Sequence, residues 1–188
     1  VGRLTRLRSL RLRKTAVTDA GLRHLRGLTR LRHLSLEWTR ITRDGLQHVA
    51  HLERLGSLNV DTTKLTDDGL GVIAGLSRLT HLDLGGSLTT SAGLRHLRRL
   101  KRLRHLYLGP TNTDDAGLAH LASLHHLRAL DLRGALITRR GMAHLRGLTK
   151  LRWLHLSETG IKPRVIDAFR RAHPSCVVTK QKKGPTPP

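Results

Sequence analysis

Cysteine is almost missing from this chain, and aromatic residues are rare. One cysteine, Cys176, in 188 residues excludes an internal disulfide framework and a multi-cysteine metal site. Aromatics reach 2%: one Phe, one Tyr and two Trp. Apolar runs are a few residues long, so no transmembrane helix is expected. Acidic residues are scarce as well. Thirteen Asp and Glu stand against 35 Lys and Arg, a formal charge of +22 with the 13 His counted as neutral. The chain opens on Val1 without a recognisable secretory signal, and a cytoplasmic location is the expectation.

Leucine is what the chain has in excess, at 39 of 188 residues. Leu7, Leu31, Leu55, Leu79, Leu103, Leu127 and Leu151 recur every 24 residues. Seven units counted from these leucines bring the apolar residues into register. Positions 1, 4 and 6 of the unit are Leu at 20 of 21 places, with Val60 the exception. Position 15 is Gly in six units, followed by apolar residues at 16, 19 and 22. An internal repeat of this length marks a stacked array.

Each unit changes period halfway. Positions 4 and 6 alternate, as a strand with one buried face requires, and positions 16, 19 and 22 step as one face of a short helix. Position 12 supplies an N-cap in Thr18, Thr42, Thr66, Thr90, Asp114 and Thr138. Asp19, Asp67 and Asp115 follow, where negative charge meets the positive helix end. Hydroxyls at position 9 (Thr15, Thr39, Thr63, Ser87, Thr111, Thr159) are placed to satisfy turn carbonyls. No unit can bury both apolar faces alone, so neighbours must stack. The expected fold is an α/β right-handed solenoid. Seven parallel strands near positions 3 to 5 line its concave face, and helices near positions 13 to 23 line its convex face.

The unit Leu-x-x-Leu-x-Leu-x-x-Thr-x-Ile/Val-Thr-Asp-x-Gly-Leu-x-x-Leu-x-x-Leu resembles a leucine-rich repeat. Its Thr18-Asp19-Ala20-Gly21-Leu22 portion is similar to the cysteine-containing subclass of F-box proteins. The 24-residue length and the Gly-Leu-x-His-Leu phrase resemble bacterial arrays of planctomycete type, as does the ending from Ala168 to Cys176. The resemblance implies a binding scaffold. Residues 1–6 fit the end of a preceding unit, 7–178 hold seven repeats with a C-terminal cap, and 179–188 read as a disordered tail. An F-box-type substrate-recognition role would need a helical domain upstream.

Two surfaces compete as the binding site. On the concave positions fall Trp38, Tyr107 and Trp153; around Tyr107 lie His81, Asp83, His105, Asp131 and His155. Exposed aromatics on a sheet serve as interface anchors, so an unidentified protein partner is expected here. The other surface flanks the first leucine of each strand. Positions 24 and 2 hold 11 basic residues in 14 places, among them Arg30, Arg32, Arg54, Arg78, Arg102, Arg104, Arg128, Lys150 and Arg152. This ridge reads either as a solvated rim or as a site for an acidic protein or nucleic acid.

Catalytic chemistry finds no support. His81, Asp83 and His105 would stand on an open sheet without a pocket, oxyanion donors or a nucleophile. The helix column His24, His48, His96, His120 and His144 invites a metal reading. Packed helices lie about 8–10 Å apart, whereas zinc needs nitrogens at about 2.0–2.1 Å. No catalytic residue, cofactor or metal is therefore expected, and the chain reads as a monomer that does not enter a membrane.

Overall fold

The computed structural model describes residues 4 to 180. Eight strands form one parallel sheet in sequence order: β1 (Ser9–Arg11), β2 (His33–Ser35), β3 (Ser57–Asn59), β4 (His81–Asp83), β5 (His105–Tyr107), β6 (Ala129–Asp131), β7 (Trp153–His155) and β8 (Val177–Thr179). Leu10, Leu34, Leu58, Leu82, Leu106, Leu130 and Leu154 are successive register partners, so the 24-residue step is kept without a slip. The result is a right-handed leucine-rich-repeat solenoid. Its leucine columns make one continuous core, with Leu106 and its neighbours fully buried.

The eighth strand exceeds the seven expected. Val178 takes the core position of an incomplete eighth repeat, pairs with Leu154 and closes the last apolar edge. Thr179 belongs to this strand and Lys180 donates to the Ile161 carbonyl at 2.6 Å, so the ordered chain runs past the expected boundary at 178. The remainder of the predicted tail, 181–188, lies outside the described residues. Cys176 is buried in the same cap, where desolvation pushes its thiol up to about 11. It packs as a small apolar filler.

The convex side carries α1 (Asp19–Leu22), α2 (Arg43–Gln47), α3 (Asp67–Ile73), α4 (Asp115–Leu121), α5 (Arg139–His144) and α6 (Pro163–Ala172). Two 3-10 segments, Arg23–Leu25 and Gly93–Arg99, complete it. Every α-helix is shorter than the span from position 13 to 23. A chain that must return to the next strand within 24 residues has room for one or two turns. Only α6, which opens with Pro163 at its first turn, reaches 10 residues.

The position-9 hydroxyls behave as expected. Thr39, Thr63, Ser87, Thr111 and Thr159 each donate to the carbonyl three residues back at 2.5–2.7 Å. The aspartates do more than compensate a dipole. Asp67 accepts from the Thr90 N–H and hydroxyl, both at 2.7 Å, and so staples the third repeat to the fourth. Asp19 holds Thr42 and Asp115 holds Thr138 in the same way. This staple explains three of the six glycines in the column, while Gly21, Gly69 and Gly117 leave room for Val17, Leu65 and Ser91. At Gly93 a Cβ would strike the Asp67 carboxylate, and the same collision occurs at Gly45 with Asp19 and at Gly141 with Asp115. Thr42, Asp114 and Thr138 also cap their own helices; Thr18 and Thr66 make no side-chain cap bond.

Candidate functional site

In-register pairing decides which concave residues meet. Asp83, Tyr107 and Asp131 are register partners on three consecutive strands, with Tyr107 between the two carboxylates. Neighbouring strands stand about 4.8 Å apart, so the three form a row. In the adjacent row, His81 and His105 stack with ring centroids 4.2 Å apart and planes 7° from parallel. The Thr80 hydroxyl donates to the Gly56 carbonyl at 3.0 Å and stands 2.8 Å from His81 Nδ1.

Burial and like charge set the electrostatics of this row. Desolvation, reinforced by Asp61, Asp131 and Glu37, pushes Asp83 up to about 6 against the pull of the Gly85 N–H. Asp61 is raised too, by burial first and by Glu37. Tyr107 is raised by burial and by both flanking aspartates. His105 is lowered to about 4 by burial, His81, Arg128 and Arg104, and His81 is lowered by burial, His33 and Arg104. The stacked imidazoles are therefore neutral near pH 7.

The two ends of the expected patch differ. Trp38, on the turn after β2 with φ 58°, is 52% exposed, and the Lys14 ammonium lies 5.5 Å from its ring centre. His81 is exposed; Asp83, His105 and Tyr107 are half-buried. Asp131, Trp153 and His155 are buried, which corrects the expectation that Trp153 is an exposed anchor. Trp153 meets His155 edge-on at 5.3 Å, and His155 Nε2 lies 2.6 Å from the Ser157 hydroxyl. Asp131 is occupied by Arg133, paired through both Nε and Nη2 at 2.8 Å. Asp131 and His155 thus find polar partners at the C-terminal end of the sheet, whereas the buried Trp153 Nε1 has no hydrogen-bond partner among the described residues. The face is most open over β1 and β2, where Ser9, Arg11 and His33 are exposed, and Asp61, Asp83 and Tyr107 line its half-buried middle.

Asp61 and Glu37 were not singled out from the sequence, although both fall on concave positions. Glu37 is engaged by Arg13 at 3.3 Å and by the Asn59 amide at 3.0 Å. Asp61 and Asp83 have no cation within salt-bridge distance among the described residues. Among the same residues, no group of three or more His, Cys, Asp or Glu is placed to hold a metal ion, and no helix is long and apolar enough to cross a membrane.

Arg30, Arg32, Arg54, Arg78, Arg102, Arg104, Arg128, Lys150 and Arg152 are all exposed, and none pairs with a carboxylate among the described residues. The helix histidines do not converge on one another. His48, His96 and His120 are half-buried, His48 lying 2.9 Å from Arg26 Nη2, while His24 and His144 are exposed.

An eight-stranded parallel sheet advancing by one 24-residue unit per strand, with the leucine columns inside, defines a leucine-rich-repeat protein. No protein-family model matches the sequence, and no curated protein matches it. Among solved structures, the chain is similar to the internalin InlF of Listeria monocytogenes, with TM-score 0.78 and 27% identity over 97% of this chain and 50% of that one. It is similar to the internalin C2 of the same organism, with TM-score 0.72 and 23% identity over 96% of this chain and 84% of that one. A leucine-rich-repeat protein of Leptospira interrogans gives TM-score 0.66 and 19% identity over 95% and 50%. The chain thus spans half the length of InlF and of the Leptospira protein. The latter two likenesses, at 23% and 19% identity, bear on the fold alone.

Proposed function

We propose that this chain is a non-enzymatic protein-binding scaffold whose concave sheet takes a partner segment carrying a basic side chain. The observation that carries the reading is the row Asp83–Tyr107, with Asp61 beside it. Neither carboxylate there has a cation within salt-bridge distance among the described residues, and an aromatic ring lies next to them. Bringing a guanidinium or ammonium to this row offsets the burial, and the lesser repulsion, that raise Asp83 and Asp61, and the Tyr107 ring attracts the same cation. Similarity to other leucine-rich-repeat structures supports a scaffold role and does not identify the partner.

The test is titration of an affinity-captured partner. Tyr107→Ala and Asp83→Asn should each weaken binding by more than about 1 kcal/mol. Binding should also tighten as pH rises through about 6, because Asp83 must ionise to receive the cation. Full affinity in both variants would refute the concave reading.

A second reading rests on the ridge, whose exposed cations lack carboxylate partners. Here duplex DNA is the probe. If the ridge is a polyanion site, Arg102→Ala and Arg104→Ala weaken binding, and log affinity falls with log salt by about 0.9 per phosphate neutralised. The concave variants would then leave DNA affinity unchanged.

A further inference from the structure

The seams between convex helices are filled from position 18 of the repeat. His48 reaches Arg26 across one seam, and at the next filled by histidine the His96 ring lies 3.7 Å from where a Cβ on Gly71 would stand. His120 buries Nδ1 in its own seam and is lowered by desolvation and by Arg98 and Arg95 on the neighbouring segment. The third repeat fills this position with Val72, His144 of the sixth is exposed, and the seventh repeat departs furthest. Its position 18 is Ala168, which cannot fill the space an imidazole occupies elsewhere.

The seam between α5 and α6 is consequently open. It holds a cleft of about 260 Å³, floored by Met142, Val165, Ala168 and Phe169 and rimmed by Arg139, Arg146 and Arg164. The three arginines are exposed, and none pairs with a carboxylate among the described residues. Asp167, the acidic residue of α6, is taken by Arg170 at 3.3 Å. Of the adjacent helix pairs, α5 and α6 share the thinnest packing.

We propose that this cleft is a docking site for an acidic segment of a partner protein. The segment seats one large apolar side chain between α5 and α6 and pairs flanking carboxylates with Arg139, Arg146 and Arg164. The occupant follows from size and charge. Sites that enclose a whole small molecule measure about 300–1,000 Å³. A cleft of about 260 Å³ with an open mouth holds a single large side chain. Its floor is apolar and its rim is threefold cationic, and a guanidinium fork matches a carboxylate in shape. The site lies on the convex side, opposite the sheet, and stands or falls independently of the concave reading.

The experiment uses the full chain and a fluorescently labelled synthetic peptide with one Trp flanked by Asp and Glu. Two control peptides replace the acids by Asn and Gln, or the Trp by Ala. Wild type should bind the acidic Trp peptide and bind each control at least about tenfold more weakly. Ala168→His restores the residue that fills other seams, so it should close the cleft and cut affinity about tenfold while thermal unfolding stays unchanged. The double variant Arg146→Ala/Arg164→Ala, at two exposed positions, should lose binding and most of its salt dependence. Unchanged affinity in the double variant, or in a folded Ala168→His, would overturn the proposal. Equal binding of the Trp-free peptide would reduce the site to unspecific charge attraction and overturn it too. So would displacement of the acidic Trp peptide by vesicles of phosphatidylserine and phosphatidylcholine with no displacement by excess unlabelled peptide, since the cleft would then be a lipid contact.

Discussion

The seam between the third and fourth repeats and the seam between the sixth and seventh start from one template and end differently. In the first, Asp67 staples Thr90 and Gly93 leaves room for the carboxylate. In the second, the residue at the aspartate position is Arg139, the receiving threonine is Lys162, and the filling histidine is Ala168. The interior seam is closed and the terminal seam holds a cleft lined by arginine. Repetition builds the core, and the departures from it create distinct surface chemistry. The staples also recur with a period of two repeats, joining the first to the second, the third to the fourth and the fifth to the sixth. Ser91 and Asp114 join the fourth to the fifth with the acid on the opposite side.

The largest effect should come from breaking what both seams share. Leu106 is fully buried within the continuous core. Leu106→Ala should cost about 2–5 kcal/mol in urea unfolding, because neighbouring repeats cannot collapse into the void. Leu4→Ala, at a residue 56% exposed, should cost far less. Equal losses would contradict a continuous core.

The staple comes next. Asp67→Ala removes two bonds across the interior seam and should cost about 1–3 kcal/mol. Asp68→Ala, one residue on and exposed, should cost under about 1 kcal/mol. If both variants melt alike, the aspartate acts through the helix dipole and the staple adds nothing.

A smaller effect, of opposite sign, is expected at the concave row. Asp83 titrates near 6 in the fold against an ordinary 3.8, so the folded state binds its proton more tightly than the unfolded one. Stability therefore falls as pH rises from about 4 to about 6, and the full penalty persists above that. Asp83→Asn should raise the unfolding midpoint at pH 7 and lose that gain toward pH 4. His105 works the other way. Its value near 4, against an ordinary 6.5, means stability is lost as pH falls between the two, and His105→Gln should flatten that limb.

The smallest signal is kinetic. Cys176 is buried with its thiol raised to about 11, so a thiol reagent at pH 8 should label it slowly until the cap opens. Labelling of Cys176 at the rate seen in denaturant would show that the terminal cap is open in the native state.

The strands and the core were legible in the sequence because a 24-residue translation leaves one way to keep every leucine inside. Helix lengths were legible only roughly. Position 23 still looks helical by period, yet the chain must already be turning toward the next strand. The eighth strand was missed because Val177–Thr179 carries no leucine, although Val178 falls on the core column. On the concave face the sequence identified Tyr107, Asp83 and the histidines, since alternation alone assigns them outward. It could not tell that Trp153 and His155 are buried against neighbouring side chains, because outward-facing and exposed are different properties.

The repeat, the sheet order, the register and the placement of the basic ridge were determined by the sequence itself, through periodicity and the need to hide leucine from water. The tertiary structure alone decided which carboxylates are free. Arg13 reaches Glu37 across a strand and Arg133 folds back on Asp131, while Asp61 and Asp83 have no cation within salt-bridge distance among the described residues. It also decided that Asp67 belongs to the next repeat and that Ala168 opens a cleft. Apart from Arg133–Asp131, such contacts join residues more than 20 positions apart, and their strength depends on ångström-scale distances that no spacing in the chain encodes.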